Sequence, residues 1–441
     1  MSEFKKPTSE KEFEQNFQQL KPLMNDTEAY YESSRCLFCY DAPCVKACPT
    51  GIDIPLFIRQ INSGDNTGSA ETIYASNYFG NACGKVCPTE VLCEGACVFN
   101  EQNVKPIEIG RLQNHVTRQA IEEDKKLFKL GDANGKKVAV VGAGPSGISC
   151  ACELRTLGYE VVIFEAKESP SGLTIHGVAP YKITNEEVLK EMDYLERQFG
   201  YQVNYNSPIS TIEEIQKLEA DYDAIFIGIG LGNTSNLNLP GEELENCVGA
   251  TELIEELKTD HLQVHIGKKV VVLGGGNTAM DAASESARMG AESVTLAYRR
   301  SSVEMGAYEF EWDLAKGVGV QGEFNATPIE ILGNGKVEGV RFRRTENREG
   351  KLVDIEGSEF EIVCDMVIKA TGQRKQTDFL SLIDGIQTDE KGRIEIDVYG
   401  RSGDTKFFTG GDAVNGGAEV VNAAAEGKMA AVGIHEYLIQ K

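Results

Sequence analysis

The sequence predicts an α/β protein: an all-helical N-terminal domain followed by two nested Rossmann-like domains. Three observations predict it. Eight of the twelve cysteines fall between Cys36 and Cys97, in a stretch that reads as short helices and loops. A strand–glycine turn–helix pattern occurs twice, at Gly142 and at Gly274. A late segment, Phe408-Thr409-Gly410-Gly411-Asp412, leads into a helix that returns the chain to the first of these patterns. Strands alternating with helices imply parallel sheets covered by helices.

The bulk composition bounds the answer. The chain has 441 residues, about three domains at roughly 150 residues each. Hydrophobic content of 41% and charged content of 25% are ordinary for a globular protein. A net charge of −24 argues against nucleic acid or an anionic membrane surface as partner. No apolar run approaches the ~18 residues of a membrane span. The start, Met1-Ser2-Glu3-Phe4-Lys5, is polar and lacks an apolar signal region. A cytoplasmic protein is expected, with cysteines as thiols or metal ligands rather than disulfides.

Four domain segments follow in order. Residues 1–130 form the helical domain: a helical lead-in over 1–30, the cysteines within 31–105, and a helical stretch over 106–130. Gly131-Asp132-Ala133-Asn134-Gly135 is a turn-rich linker. Residues 131–262 form the first part of one nucleotide domain, 263–370 a second, and 371–441 the return to the first. Strands are predicted at Lys137–Val141, Glu160–Phe164, 224–229, Lys269–Leu273, Ser293–Tyr298 and 366–368.

The cysteines fall in two groups. The first is Cys36-x2-Cys39-x4-Cys44-x3-Cys48-Pro49, the second Cys83-x3-Cys87-Pro88-x4-Cys93-x3-Cys97. Thiolates are soft ligands, and [4Fe–4S] clusters usually take four. Three closely spaced cysteines wrap one cluster and a distant residue completes it. In two-cluster ferredoxins the cysteine before proline crosses to the other cluster, which makes Cys48 the crossing residue. Structural zinc more often uses two short Cys knuckles, frequently with histidine, and no histidine lies among these cysteines. Cys150 and Cys152 read as packing residues of a helix.

The first glycine turn is Gly142-Ala143-Gly144-Pro145-Ser146-Gly147. Its glycines permit a tight turn and close approach of a pyrophosphate to the helix N-terminus. Glu165 ends the next strand, where a carboxylate accepts a ribose hydroxyl. The second turn is Gly274-Gly275-Gly276-Asn277-Thr278, and its next strand ends at Tyr298-Arg299-Arg300 without an acid. Arginines there suit a ribose 2′-phosphate and lean towards NADP. Two such folds, closed by Gly411-Asp412 and the helix from Val420 and Val421, suit FAD first and a nicotinamide second. Asp412 is placed to bond a flavin ribityl hydroxyl. The nucleotide domains hold no Cys-x2-Cys or Cys-x4-Cys pair, which disfavours disulfide-reductase chemistry. No catalytic side chain stands out, since in hydride transfer the cofactors carry the chemistry.

From about residue 30 to its end, the chain resembles the flavin/iron–sulfur electron-input subunits of the dihydropyrimidine dehydrogenase and glutamate synthase small-subunit superfamily, most of all the dihydropyrimidine dehydrogenase branch. The carrying residues are Cys36-Leu37-Phe38-Cys39-Tyr40-Asp41-Ala42-Pro43-Cys44, Cys83-Gly84-Lys85-Val86-Cys87-Pro88-Thr89 and Ile107-Glu108-Ile109-Gly110-Arg111-Leu112-Gln113. The resemblance implies one cluster on Cys36, Cys39, Cys44 and Cys97. It implies a second on Cys48, Cys87, Cys93 and the amide of Gln113, with Cys83 unligated. It also implies FAD contacts from Leu173 and Lys182 and NAD(P) contacts from Ala370, Thr371 and Gly372. The chain departs from the family pattern at Ser171-Gly172, where a Gly-Gly pair is usual. It departs again at Lys182 and at Gly306, where the eukaryotic enzyme has arginines. The last change weakens the NADP reading and leaves the coenzyme open. The implied activity is oxidation of NAD(P)H through FAD and both clusters. The electrons go to an FMN-containing partner, in a hetero-oligomer, that reduces uracil or thymine to the 5,6-dihydro form. A glutamate synthase small subunit is the alternative, and a non-catalytic redox sensor is an alternative of another class.

Overall fold

The computed structural model describes residues 4–440. The described strands, in chain order, are β1 (Lys137–Val141), β2 (Glu160–Phe164), β3 (Gln202–Asn204), β4 (Ala224–Ile227), β5 (Cys247–Gly249), β6 (Lys269–Leu273) and β7 (Ser293–Tyr298). They continue with β8 (Gln321–Phe324), β9 (Ala326–Gly333), β10 (Val337–Arg348), β11 (Lys351–Asp354), β12 (Phe360–Val363), β13 (Met366–Lys369) and β14 (Phe407–Thr409). The chain divides into two compact units. One gathers residues 20–175, 182–231 and 375–441; the other gathers the segment up to Gln19, 176–181 and 232–374. No helix among the described residues is long and apolar enough to cross a membrane.

The first unit joins the helical domain to a parallel sheet of order β14-β4-β1-β2-β3. β1 reads Lys-Val-Ala-Val-Val and is buried from its second residue on, the near-continuous apolar run of a strand covered on both faces. Its register with β2 runs from Lys137↔Glu160 to Val141↔Phe164. Pro145 opens the next helix, Pro145–Thr156, at its first position, where a missing N–H costs nothing. The last helix, Val420–Ile439, lies against it. A Cβ on Gly427 would stand 2.0 Å from the Ser146 carbonyl oxygen, so only glycine lets the two helices approach this closely.

In the helical domain, short helices surround a core of Phe57, Ile58, Ile73, Leu112 and Val116, and Cys36, Cys44, Cys48, Cys93 and Cys97 pack against it. Ile54–Asn62 is helical, as its apolar pattern predicts, with Asp53 capping the Leu56 N–H. The lead-in is two helices, Glu10–Asn16 and Asp26–Ser34, which belong to different units. Pro22 lies between them and biases its neighbours away from helix. The stretch 106–130 is helical only over Ile109–Glu122, and Asp124 follows with φ +47°. The helices Gly80–Val86 and Ile109–Glu122 touch through glycines: a Cβ on Gly110 would lie 2.6 Å from the Gly84 carbonyl oxygen.

The second unit holds another all-parallel sheet, β5-β13-β6-β7-β8. Residues 232–262 belong here, because Cys247–Gly249 pairs with β13. The unit also holds a sheet that the sequence reading does not contain. β10 pairs antiparallel with β9, β11 and β12. Charges along β10 hide its alternation: Arg341 pairs with Glu361 and Glu330, and Arg343 with Glu359. The turn signals were present. Asn334-Gly335-Lys336 joins β9 to β10, with Gly335 at positive φ, and Glu349 and Gly350, both at positive φ, join β10 to β11, as a two-residue hairpin demands.

One buried acid fastens the helical domain to the first sheet's layer. Glu191, on the helix Asn185–Phe199, is fully buried. Its carboxylate accepts from the N–H groups of Asn81 (2.7 Å) and Ala82 (2.9 Å) and from the Tyr74 hydroxyl (3.1 Å). Those amides are the free N-terminal donors of the helix Gly80–Val86. One turn earlier, Glu187 holds Lys85 of that helix at 2.8 Å. Burial pushes the Glu191 carboxyl up to about 7 against the pull of its three donors. In the unfolded chain it titrates in the ordinary range. Between that range and about 7 the folded chain therefore holds the extra proton, and stability falls as pH rises. E191Q removes this proton uptake. Its melting temperature is expected to fall less over that pH window than the parent's; an unchanged pH slope would show that Glu191 does not titrate there.

Candidate cofactor sites

Cys36, Cys39, Cys44 and Cys97 line one cavity, walled by Ile54, Ile58, Phe99 and Ile109. Phe38 holds a left-handed conformation (φ +51°) between the first two cysteines, and Arg59 lies over its ring. Burial pushes the Cys36 thiol up, and burial together with Cys36 pushes Cys44 up to about 12. Thiolates gathered in an apolar shell need cations to offset their charge. The set fits a group that supplies iron at several corners. Among the described residues, no three Cys, His, Asp or Glu side chains converge as tightly as one bare ion requires.

The second group forms around Cys93, whose thiol is raised by burial first and then by Glu94, Cys87 and Cys48. Cys87 is raised by its hydrogen bond with Cys83, then by burial. Cys83 is itself buried. Gln113 is 6% exposed. Its Nε2 donates to the Gly80 carbonyl at 2.7 Å, at the start of the helix that carries Cys83. The thiols of Cys36, Cys44 and Cys97 thus act on one another, and those of Cys48, Cys87 and Cys93 likewise.

At the first glycine turn, Gly142 has φ +102°, and a Cβ there would lie 2.5 Å from the Gly228 carbonyl oxygen. A Cβ on Gly144 would meet nothing closer than 3.8 Å, so its face is open to a ligand. The Ala143 N–H donates to Glu165 at 2.7 Å and the Lys167 N–H at 2.8 Å. Two of the carboxylate's roughly four acceptor positions are thereby filled. Pro145 and Ser146 begin the helix. The Ser171 N–H donates to the Ala143 carbonyl at 2.7 Å. Ser171 holds φ +75°, a conformation that costs a non-glycine about 1–2 kcal/mol, and its hydroxyl has no partner. Leu173 is exposed and Lys182 buried. Gly411 has φ +83°, and a Cβ on it would lie 2.9 Å from the Ser146 hydroxyl oxygen. Its N–H is held by Glu426, which also binds Asn415. Burial pushes the Asp412 carboxyl up, and the Ala418 N–H donates to it. Val420 and Val421 begin the last helix, behind the Glu419 cap. The closing segment thus reaches the start of the first helix through Gly411 and Ser146, and the open face at Gly144 fits a dinucleotide. Glu426 belongs to no motif, and its position two turns into a helix gave no signal.

At the second turn, a Cβ on Gly274 would lie 2.4 Å from the Ala370 carbonyl oxygen, and one on Gly275 would lie 2.5 Å from the Tyr298 ring. A Cβ on Gly276 would meet no atom within 4 Å. Asn277 accepts from the Tyr308 N–H at 3.0 Å, and Thr278 is exposed. Arg299 is exposed and Arg300 half-buried; the charge of Arg300 reaches Glu304. Thr371 and Gly372 are exposed beyond the end of β13, and Gly372 accepts from the Ser235 N–H.

Comparison with known proteins agrees with this anatomy. Residues 13–125 match the family model described as dihydropyrimidine dehydrogenase domain II, 4Fe-4S cluster. Residues 91–174 and 136–427 match the pyridine nucleotide-disulphide oxidoreductase model. The chain is 32% identical to the glutamate synthase [NADPH] small chain of Escherichia coli (strain K12), over 98% of this chain and 96% of that one. It is also 32% identical to the NAD-dependent dihydropyrimidine dehydrogenase subunit PreT of the same organism, over 96% and 98%. FprA from Mycobacterium tuberculosis, solved with NADPH, shares the fold at TM-score 0.59 and 19% identity, over 69% of this chain and 85% of that one. The chain therefore belongs to the pyridine nucleotide-disulphide oxidoreductase family, in its 4Fe–4S-bearing branch, with FAD, iron–sulfur clusters and NAD(P)H as cofactors.

Proposed function

We propose that this chain is the electron-input subunit of a cytoplasmic dihydropyrimidine dehydrogenase. It oxidises NAD(P)H and passes the electrons, through two [4Fe–4S] sites, to an FMN-containing partner that reduces uracil or thymine. The cofactors supply hydride acceptance and single-electron release. The chain's own residues hold them. Cys36, Cys39, Cys44 and Cys97 take one cluster, and Cys48, Cys87, Cys93 and Gln113 the other. Gly142–Ser146, Glu165 and Asp412 seat the FAD, and Gly274–Thr278 with Arg299 and Arg300 seat the nicotinamide nucleotide. The observation that carries the reading is the buried Gln113, with its amide nitrogen fixed on the Gly80 carbonyl of the helix that carries Cys83 and runs into Cys87. With its nitrogen so engaged, the amide keeps a neutral oxygen available as the fourth donor of this reading.

Equal identity to a glutamate synthase small chain supports a second reading, the small subunit of that enzyme. Reconstitution separates the two. The purified chain is expected to support NAD(P)H-dependent uracil reduction with an FMN-containing pyrimidine-binding subunit. Glutamate formation with a glutamate synthase large subunit, and no uracil reduction, would reverse the assignment.

Two variants test the sites. Q113A is expected to lose the second cluster, halving bound iron, while C83A keeps both. Loss in C83A alone would move the eighth ligand to Cys83. G276V projects into open space, so it should leave melting temperature, FAD and iron unchanged. It should raise the KM for NAD(P)H at least tenfold in dye reduction, because the side chain takes the place of a phosphate. An unchanged KM would remove that turn from the nucleotide site.

A further inference from the structure

The N-terminal segment of the first unit brings one cation to the second thiol group. Lys21 is half-buried. Its ammonium donates to the Cys87 carbonyl at 2.8 Å and to the Thr89 hydroxyl at 2.8 Å. Thr89 is 1% exposed, and its carbonyl anchors the turn by accepting from Glu94 and Gly95. Both partners of the ammonium are neutral oxygens. Among the described residues Lys21 forms no ion pair with a carboxylate, although Glu90 and Glu94 lie in the same loop. Glu94 instead accepts from the Gly110 N–H at 3.0 Å. The ammonium is thus a fixed positive charge on the turn that follows Cys87.

We propose that Lys21 tunes the second cluster: fixed on the Cys87–Thr89 turn, it raises the reduction potential of the iron–sulfur group carried by Cys48, Cys87 and Cys93. The proposal rests on the ligand reading above. Reduction adds one electron and no atom to the cluster, so the reduced form is more negative by one charge. A fixed cation stabilises that form more than the oxidised one. A neutral fourth ligand acts in the same direction.

The test is a redox titration of the full chain, loaded with FAD and clusters and followed by electron paramagnetic resonance, in the parent, K21M and K21R. In K21M one cluster is expected to shift to a lower midpoint potential, while the other cluster and the flavin stay in place. K21R is expected to stay near the parent. Both clusters present with unmoved potentials in K21M would overturn the proposal alone, as would a K21R shift equal to that of K21M. If K21M loses the second cluster, K21Q is titrated in its place. Loss in both, with retention in K21R, would make the lysine an assembly residue and overturn the tuning role. Iron and sulfide are counted first. A parent holding one cluster would overturn the ligand reading, and the proposal with it.

Discussion

The carboxylate of Glu191 ties the thiol-bearing helices to the first nucleotide sheet's layer. It satisfies two N-terminal amides of the helix Gly80–Val86 at a point no solvent reaches. Helix ends buried without partners leave several donors unpaired, each costing about 1–3 kcal/mol. The same helix carries Cys83, runs into Cys87 and offers the Gly80 carbonyl to Gln113. Its position therefore fixes three groups around the second thiol site at once. Glu187 acts one turn away on Lys85, so the helix is held at both ends by acids from a single neighbour. Removing one partner of such a buried pair costs about 3–5 kcal/mol.

Much of the fold was legible because glycines and buried strands constrain sequence from both sides. The first five strands of the predicted set begin where the structure begins them, since a strand covered on both faces admits little but Val, Ile, Leu and Ala. The antiparallel sheet of 326–363 was not legible. Its strands carry arginines and glutamates that pair across the sheet, and cross-strand pairing cannot be read from either strand alone. The turns at Asn334-Gly335 and Glu349-Gly350 are its local clues.

The cofactor sites divide in the same way. Spacing divided the cysteines into two runs, whereas the structure gathers Cys97 with Cys36, Cys39 and Cys44, a set that only the resemblance implies. The glycine turns were legible because missing side chains at Gly142 and Gly274 are demanded by a backbone oxygen 2.5 Å and 2.4 Å from a would-be Cβ. Residues that act through three-dimensional neighbours left no pattern. Glu191, Glu426 and Lys21 each bond to backbone groups 15 to 110 positions away. A backbone group has no residue identity, so nothing in the sequence marks its partner. Ser171 is the opposite case. The resemblance marks it as unusual, and its φ of +75° gives the reason that glycine is the ordinary choice.

The burial of the thiols couples the helical domain's folding to the metal that its cysteines hold. Cys87 and Cys93 are raised well above the ordinary thiol range by surroundings that disfavour the thiolate, yet thiolate is the form that binds iron. Without metal, folding this domain packs neutral thiols against an apolar core. With metal, the thiolate charges are offset within the cluster and burial becomes an advantage, because it keeps water from the ligands. Metal binding and folding are then one equilibrium, in which protons leave as iron enters. Each charge near the site matters more for being buried, where a fixed ion acts with less screening than at the surface. On the reading proposed above, the burial that holds the metal also strengthens the effect of a fixed charge such as Lys21 on it.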